Sequence, residues 1–447
     1  MNILDYLDRE FSSFDSKSFN DIDSVILSQF CMVRCEGLVS PFEPYTKPSR
    51  IQKYLQALQS IIKRGSAHKA DSAQKGSPII KGGAALKSSS FLKGGSVRTL
   101  EHSNAHFGDL LRTERYSEMF TGLVPDRIKA TLVALAASPR FRTLALHDYI
   151  SVFDERKENQ FAAITFTYKD QFSYIGFRGT DTSITGWKEN FNMACTSPVP
   201  AQTQALHYLE GVAPKLPDKI YLGGHSKGGN LALYAALKAS PEIQDRIVTV
   251  FDHDGPGFKK GAISNSEWDA VKGKVRRTIP NESIVGMLMF CPIEPTIVQA
   301  QEHGFDQHSV FNWDVNSTMD GFIQADKLND SAQFFDEVFT EWLSQYSDKE
   351  ATAIVNALFK AVEVSGITNA TEVFFSGIKI IPFISKGAQN IDSESGEILR
   401  NALGSLASIA ASHAGTNVIR AFSRGSAHVY TANRAGNTVG KSVQVTP

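Results

Sequence analysis

Through the middle of the chain, short apolar runs alternate with stretches of helical spacing, which predicts a sheet wrapped by helices. Residues 161–168 and 172–178 each carry the β-branched and aromatic residues of a strand. Lys169, Asp170 and Gln171 lie between them, so the pair is predicted as a hairpin. A helix is expected over 201–212, followed by a buried strand over 219–223 built on Ile220, Tyr221 and Leu222. Leu231, Leu233, Tyr234 and Leu237 then recur at helical spacing. Further strands are expected over 247–251 and 296–300, and an earlier helix over 128–137. Strands that alternate with helices imply a mostly parallel sheet covered on both faces.

The flanks differ in character. Residues 1–62 are expected to be helical, with Asp21, Asp23 and Ser24 supplying cap chemistry ahead of the apolar run at 25–32. Lys, Gly, Ser and Ala dominate 63–106, a low-complexity segment expected to form a mobile insertion. The α/β core is then assigned to 107–320. A helical region follows over 321–420, with amphipathic helices at 334–343 and 351–362 and another over 397–413. The tail at 421–447 is polar and expected to be disordered.

Composition narrows the class. A hydrophobic share of 42% and a charged share of 21% are those of a globular protein. The net charge of -1 offers no electrostatic case for binding nucleic acid or an anionic membrane. Four cysteines, Cys31, Cys35, Cys195 and Cys291, are too few for a disulfide scaffold and lack zinc spacing with histidine. The N-terminus has neither a basic start nor an apolar core, and no apolar run reaches the roughly 18 residues of a membrane span. The expectation is a cytoplasmic protein.

The candidate chemistry sits at the turn after the strand at 219–223. Gly224-His225-Ser226-Lys227-Gly228 has the form Gly-x-Ser-x-Gly between a strand and a helix. That is the nucleophile elbow of α/β-hydrolases, and it assigns the core to that fold. Backbone crowds the serine on both sides, and the glycines leave no clashing side chain. Ser226 is thereby presented above the sheet, next to the free N–H groups that open the helix.

A serine hydroxyl needs a base, a group that orients the base, and donors for the oxyanion. In this fold the acid and then the histidine follow the serine along the chain, which places both beyond 251. His303 and His308 are the candidate bases, with His413 and His428 in less structured surroundings. Asp252, Asp254 and Glu282 are the candidate acids. One oxyanion donor is expected from the Lys227 N–H. The other is expected from the loop after the hairpin, Arg178-Gly179-Thr180-Asp181, where Thr180 offers an N–H and a hydroxyl. Arg178 and Asp181 are expected to pair and fix that loop. Trp187, Phe191 and Met193 follow it and suit either an acyl pocket or the core.

Taken together these strings resemble known families. Phe177-Arg-Gly-Thr180 upstream of the Gly-His-Ser-Lys-Gly elbow is similar to the class 3 (fungal-type) lipases, in which the residue after Arg-Gly supplies the oxyanion N–H. The longer set resembles a bacterial group of α/β-hydrolases, the Mbeg-like family. It comprises Phe177 to Asp181, Gly186 to Met193, Pro200 to Gln202, Gly224 to Ala232, Asp254 to Phe258, Ser283 to Met287, and Gln307-His308. The resemblance covers about residues 20–320. It implies Ser226 as nucleophile, His308 as base and Thr180 as oxyanion donor, and it adds weight to Asp254 as acid. The class 3 lipases carry an aspartate where Ser283 falls, so their acid does not transfer.

The function expected is that of a serine hydrolase of the lipase or esterase kind, acting on a small-molecule or lipid ester without a cofactor. The alternatives are a thioesterase or peptidase with the same triad, or a non-catalytic interaction protein on this scaffold. The C-terminal helical region is the candidate surface for a protein partner.

Overall fold

Alternation along β2 (Asn159–Tyr168) divides its side chains between two cores. Phe161 and Ala163 enter one, and Ile164, Phe166 and Tyr168 the other. β3 (Phe172–Phe177) repeats the division, with Phe172 and Tyr174 on one face and Ile175 and Phe177 on the opposite face. Each face of the sheet therefore needs its own cover of helices.

The structure, a computed structural model, describes residues 1–45, 104–366 and 381–435. The chain forms two compact units, Met1–Glu43 with Asn104–Pro447, and Pro44–Ser103. All but the first two residues of the second lie outside the described residues, and with them the expected insertion up to 103. Residues 104–106 belong to the fold: Ala105 pairs antiparallel with Leu146, and His106 Nδ1 lies 2.8 Å from the Leu144 carbonyl.

The sheet has seven strands in chain order. β1 (Ala145–Asp154) and β2 are antiparallel, as are β2 and β3. From β3 the pairing is parallel, through β4 (Ile220–His225), β5 (Ile247–His253), β6 (Val275–Pro280) and β7 (Thr296–Val298). Two strands carried no clear sequence signal. β1 is an edge strand interrupted by a register shift between His147 and Ile150, with Asp148 at φ 55°. β6 contains Arg276 and Arg277, and its apolar pattern is broken because Arg277 is buried against carbonyl groups rather than solvated.

One face is covered by α1 (Asp21–Phe30) and α2 (Pro125–Ala137). Asn20 caps α1 by accepting from Ile22 and Asp23 N–H, and Asp23 returns a bond to Asn20 N–H. The helix ends at Phe30, so Cys31 and Cys35 share no helical face; both are buried free thiols. The other face is covered by α3 (Ile184–Asn192), α4 (Pro200–Val212) and α5 (Lys227–Lys238).

The C-terminal region forms α6 (Asp330–Ser344), α7 (Asp348–Val364), α8 (Ile381–Asn390) and α9 (Ser393–Ala435). α7 opens on a capping box between Ser347 and Glu350. Its Phe359 is fully buried and meets Phe191 of α3 edge-on at 5.5 Å. α9 carries helix to Ala435, where a disordered tail from 421 was expected; its alanine-rich sequence has no proline to break the helix. Residues 436–447 lie outside the described residues. Among the described residues no helix is long and apolar enough to cross a membrane.

Parallel register aligns the carboxyl ends of the strands. Phe177 lies opposite Gly224, His225 opposite His253, and His253 opposite Thr278. The turns that leave these ends carry Thr180, Ser226, Asp254 and Ser283. One edge of the sheet thus collects side chains from four separate segments, as open α/β sheets do at their ligand sites.

Candidate active site

The elbow is built by backbone contact. A side chain on Gly224 would run into the Gly228 backbone, and one on Gly228 into the Phe177 carbonyl. Ser226 is held at φ 58° and ψ -130° between them, a conformation costly for a residue with a Cβ. Its N–H donates to the His253 carbonyl at 2.9 Å, which ties the serine to the residue before Asp254. It also stands at the N-terminus of α5, where the helix dipole favours negative charge.

His308 Nδ1 lies 2.6 Å from Asp254 Oδ2. Asp254 is fully buried at φ 52°, and its second oxygen, Oδ1, accepts from Ser283 Oγ at 2.5 Å and Gly286 N–H at 3.0 Å. Both carboxylate oxygens are thus engaged, Oδ1 by the turn at 283–286 and Oδ2 by His308. The His308 ring packs on the His225 ring with centroids 4.5 Å apart, and His225 immediately precedes Ser226. His225 Nε2 lies 2.8 Å from the His308 carbonyl, which can only accept, so Nε2 carries the proton. Burial, with His308 adding to it, pushes the His225 pKa down to about 3, so this imidazole is neutral at pH 7.

Of the two expected oxyanion donors, Lys227 follows the serine within the elbow, and the loop of Thr180 packs on it. A Cβ on Gly179 would sit 2.8 Å from the His225 carbonyl and 3.6 Å from Ser226 Cβ, so the Thr180 loop runs against the serine. Among the described residues, neither the Thr180 nor the Lys227 N–H has a hydrogen-bond acceptor. Thr180 Oγ1 accepts from Asn190 Nδ2 at 2.5 Å, which leaves its own hydroxyl proton free to donate.

The model of the Mbeg1-like family matches residues 135–360, half of the chain. The chain belongs to the Mbeg1-like family. This is the family that the ordered motifs resemble. No curated protein matches the chain. Among solved structures, native Rhizomucor miehei lipase in complex with its propeptide is 16% identical at a TM-score of 0.30, over 51% of this chain and 70% of that one. A fungal lipase–inhibitor complex is 18% identical at 0.28, over 38% and 70% respectively. M37 lipase is 19% identical at 0.26, over 36% and 63%.

In this Mbeg1-like protein the other sequence candidates face elsewhere. His303 is 90% exposed and lies 3.4 Å from Glu282, which also accepts from Asn329 and Gly304. Asp252 accepts from Gly255 N–H at 3.0 Å and lies 3.5 Å from Arg277; burial raises its pKa to about 7. His413 lies between Glu337 and Glu341, on α9. Of Trp187, Phe191 and Met193, Met193 is buried in the core under the sheet, and Phe191 faces Phe359.

Two side chains act differently from expectation. Arg178 does not pair with Asp181. It is buried and donates to the Cys31 and Val33 carbonyls and to Tyr149 Oη, at 2.7, 2.9 and 2.9 Å. Asp181 instead accepts from Ser183, the cap of α3. Lys227, which sequence reasoning valued only for its N–H, has a fully buried side chain. Its Nζ donates to Glu189 Oε2 at 2.9 Å and to Gln160 O and Oε1 at 2.6 and 2.8 Å. A lysine inside an apolar helical pattern was the available signal, and its partner 38 residues away was not visible.

Proposed function

We propose that this protein is a serine hydrolase that cleaves a carboxylic ester, in the manner of lipases and esterases. The observation that carries the reading is the His308–Asp254 pair at 2.6 Å, joined through the His225 ring and the His253 carbonyl to a serine held at positive φ. Ser226 Oγ attacks the ester carbonyl. His308 takes the hydroxyl proton at Nε2 and returns it to the leaving alcohol. Asp254 accepts from Nδ1–H and so keeps Nε2 unprotonated and aimed at the serine. Water then attacks the acyl-enzyme by the same route, releasing the acid and restoring Ser226.

Negative charge develops on the carbonyl oxygen during both attacks. The Thr180 and Lys227 N–H groups, with the Thr180 hydroxyl, are the donors assigned to it. Their lack of other acceptors supports the assignment, and each such donor is worth about 2.7–4 kcal/mol in the transition state.

A fluorophosphonate probe tests the reading. It should label the wild type and leave Ser226→Ala unlabelled, and an ester, thioester and peptide panel should show turnover of esters first. A folded wild type that neither reacts with the probe nor turns over any of the panel refutes the proposal and leaves an interaction protein on a hydrolase scaffold.

A further inference from the structure

Three consecutive residues of α3 reach in three directions. Glu189, fully buried, accepts from Lys227 Nζ and Gln160 N–H on Oε2, at 2.9 and 3.0 Å, and from Ala201 N–H on Oε1 at 2.8 Å. Asn190 donates to Thr180 Oγ1 at 2.5 Å. Phe191 packs against Phe359 of α7. Gln160, which shares Lys227 with Glu189, donates from Nε2 to the Gly179 carbonyl at 3.4 Å. The bonds close a ring that runs from Lys227 through Glu189 to Asn190 and Thr180, then back through Gly179 and Gln160.

We propose that α3 is a clamp for the oxyanion site, in which Glu189 and Asn190 are positioning residues that hold its two donor amides from adjacent places on one helix. This rests on the serine-hydrolase reading above. Glu189 fixes Lys227, the first residue of α5, by its side chain, while the Lys227 N–H is left for the oxyanion. Asn190 fixes Thr180 by its hydroxyl oxygen, while the Thr180 N–H is left for the same oxygen. Asn190 Oδ1 has no partner among the described residues, so the bond from Nδ2 to Thr180 Oγ1 is what holds this carboxamide.

The chemistry explains why such a cluster is kept. Burying an ammonium and a carboxylate together adds little stability over two well-packed apolar side chains. A buried ion pair with every donor used does define one geometry. Lys227 uses its three donors on three acceptors. Oxyanion donors act only within about 2.7–3.1 Å of the developing charge, and a misplacement of about 1 Å costs on the order of a hundredfold in rate. Phe191 and Phe359 brace the outer side of the helix, so α3 cannot retreat without disturbing α7.

The test uses the full chain, a fluorogenic ester and a trifluoromethyl ketone, whose tetrahedral adduct reports oxyanion binding. Asn190→Ala should lower kcat about tenfold or more, keep KM within about twofold, and weaken the ketone by the same factor as kcat. The double variant Lys227→Met/Glu189→Met removes both buried charges without stranding either, and it keeps the Lys227 backbone N–H. It should fold and lose about a hundredfold in kcat and ketone affinity together. A folded double variant or Asn190→Ala with wild-type kcat overturns the clamp alone, because the wild type still labels and turns over. A fall in kcat with unchanged ketone affinity also overturns it. If the double variant fails to fold, Asn190→Ala decides by the same two readouts. A wild type inert to fluorophosphonate refutes the hydrolase reading, and the clamp falls with it.

Discussion

Replacing Asp254 by asparagine isolates the orienting role of the carboxylate, because the surroundings dictate how an amide must sit there. Ser283 O–H and Gly286 N–H both donate to Oδ1. An asparagine keeps its carbonyl oxygen in that place, since an NH2 there would face the Gly286 N–H, which can only donate, and would force the Ser283 hydroxyl to turn round and accept. Its Nδ2 is then forced toward His308 Nδ1, 2.6 Å from the replaced oxygen. His308 can meet an N–H donor only with an unprotonated Nδ1, which puts the proton on Nε2 and removes the base. In a serine protease the same tautomer reversal costs about 10⁴ in kcat, or roughly 5 kcal/mol.

The effect on folding is much smaller. Bonds to a charged acceptor, worth about 1.5–3 kcal/mol each, become neutral ones worth about 0.5–1.5, while the cost of burying a carboxylate disappears. Asp254→Asn should therefore melt close to the wild type yet turn over esters about 10⁴-fold more slowly. Steady-state kcat, the rate of fluorophosphonate labelling and a thermal melt on the same preparation measure the three quantities. A folded variant that keeps more than about a tenth of wild-type kcat would show that Asp254 does not orient the base.

Other perturbations have equally definite outcomes. His303→Ala should leave kcat and KM within about twofold of wild type, since a side chain 90% exposed beside Glu282 has no part in the proposed chemistry; a large loss in kcat would reopen the choice of base. Arg140→Met should destabilise the fold by about 3–5 kcal/mol in denaturant melts, because it strands Asp23 in a buried pair at 2.6 Å and releases the Ser12, Lys17 and Ser18 carbonyls. Glu341, with Glu337, raises the pKa of His413 in the folded state. The stability this pair contributes is therefore full below the ordinary imidazole value of about 6.5 and is lost as pH rises through the higher folded value. Limited proteolysis should show α9 better protected at low pH than at high pH, and His413→Ala should flatten that difference.

Much of this fold is written in local pattern. The hairpin of β2 and β3, the buried runs of β4 and β5, and the helices that carry Leu231 and Phe359 follow from periodicity. Periodicity is local because side chains two, or three to four, residues apart share a face. The Gly-x-Ser-x-Gly elbow is legible for a related reason: its steric demand is met by residues two apart in the chain. What local pattern could not supply were contacts whose partners are distant in sequence. Arg276 and Arg277 hid β6, because a buried arginine reads as polar until its carbonyl partners are known. Spacing alone pairs Arg178 with Asp181, three residues away; it is held instead by the Cys31 and Val33 carbonyls, which only the packing of the N-terminal segment against β3 brings there.

The three carboxylates show the same division most clearly. Asp252, Asp254 and Glu282 are equivalent as a list of acids near the ends of strands, and all three have chain positions that suit the role. Parallel pairing of β5 with β6 sets Asp254 beside the Ser283–Gly286 turn, and the turn after β7 brings His308 to it. The same packing gives Asp252 to Arg277 and Glu282 to Asn329. The sequence by itself determined that a serine would stand at a strained turn above a parallel sheet, because that turn is made from neighbours. Only the tertiary structure decided which acid faces His308, and that Lys227 would be buried on Glu189, because those pairings depend on how strands far apart in the chain are set side by side.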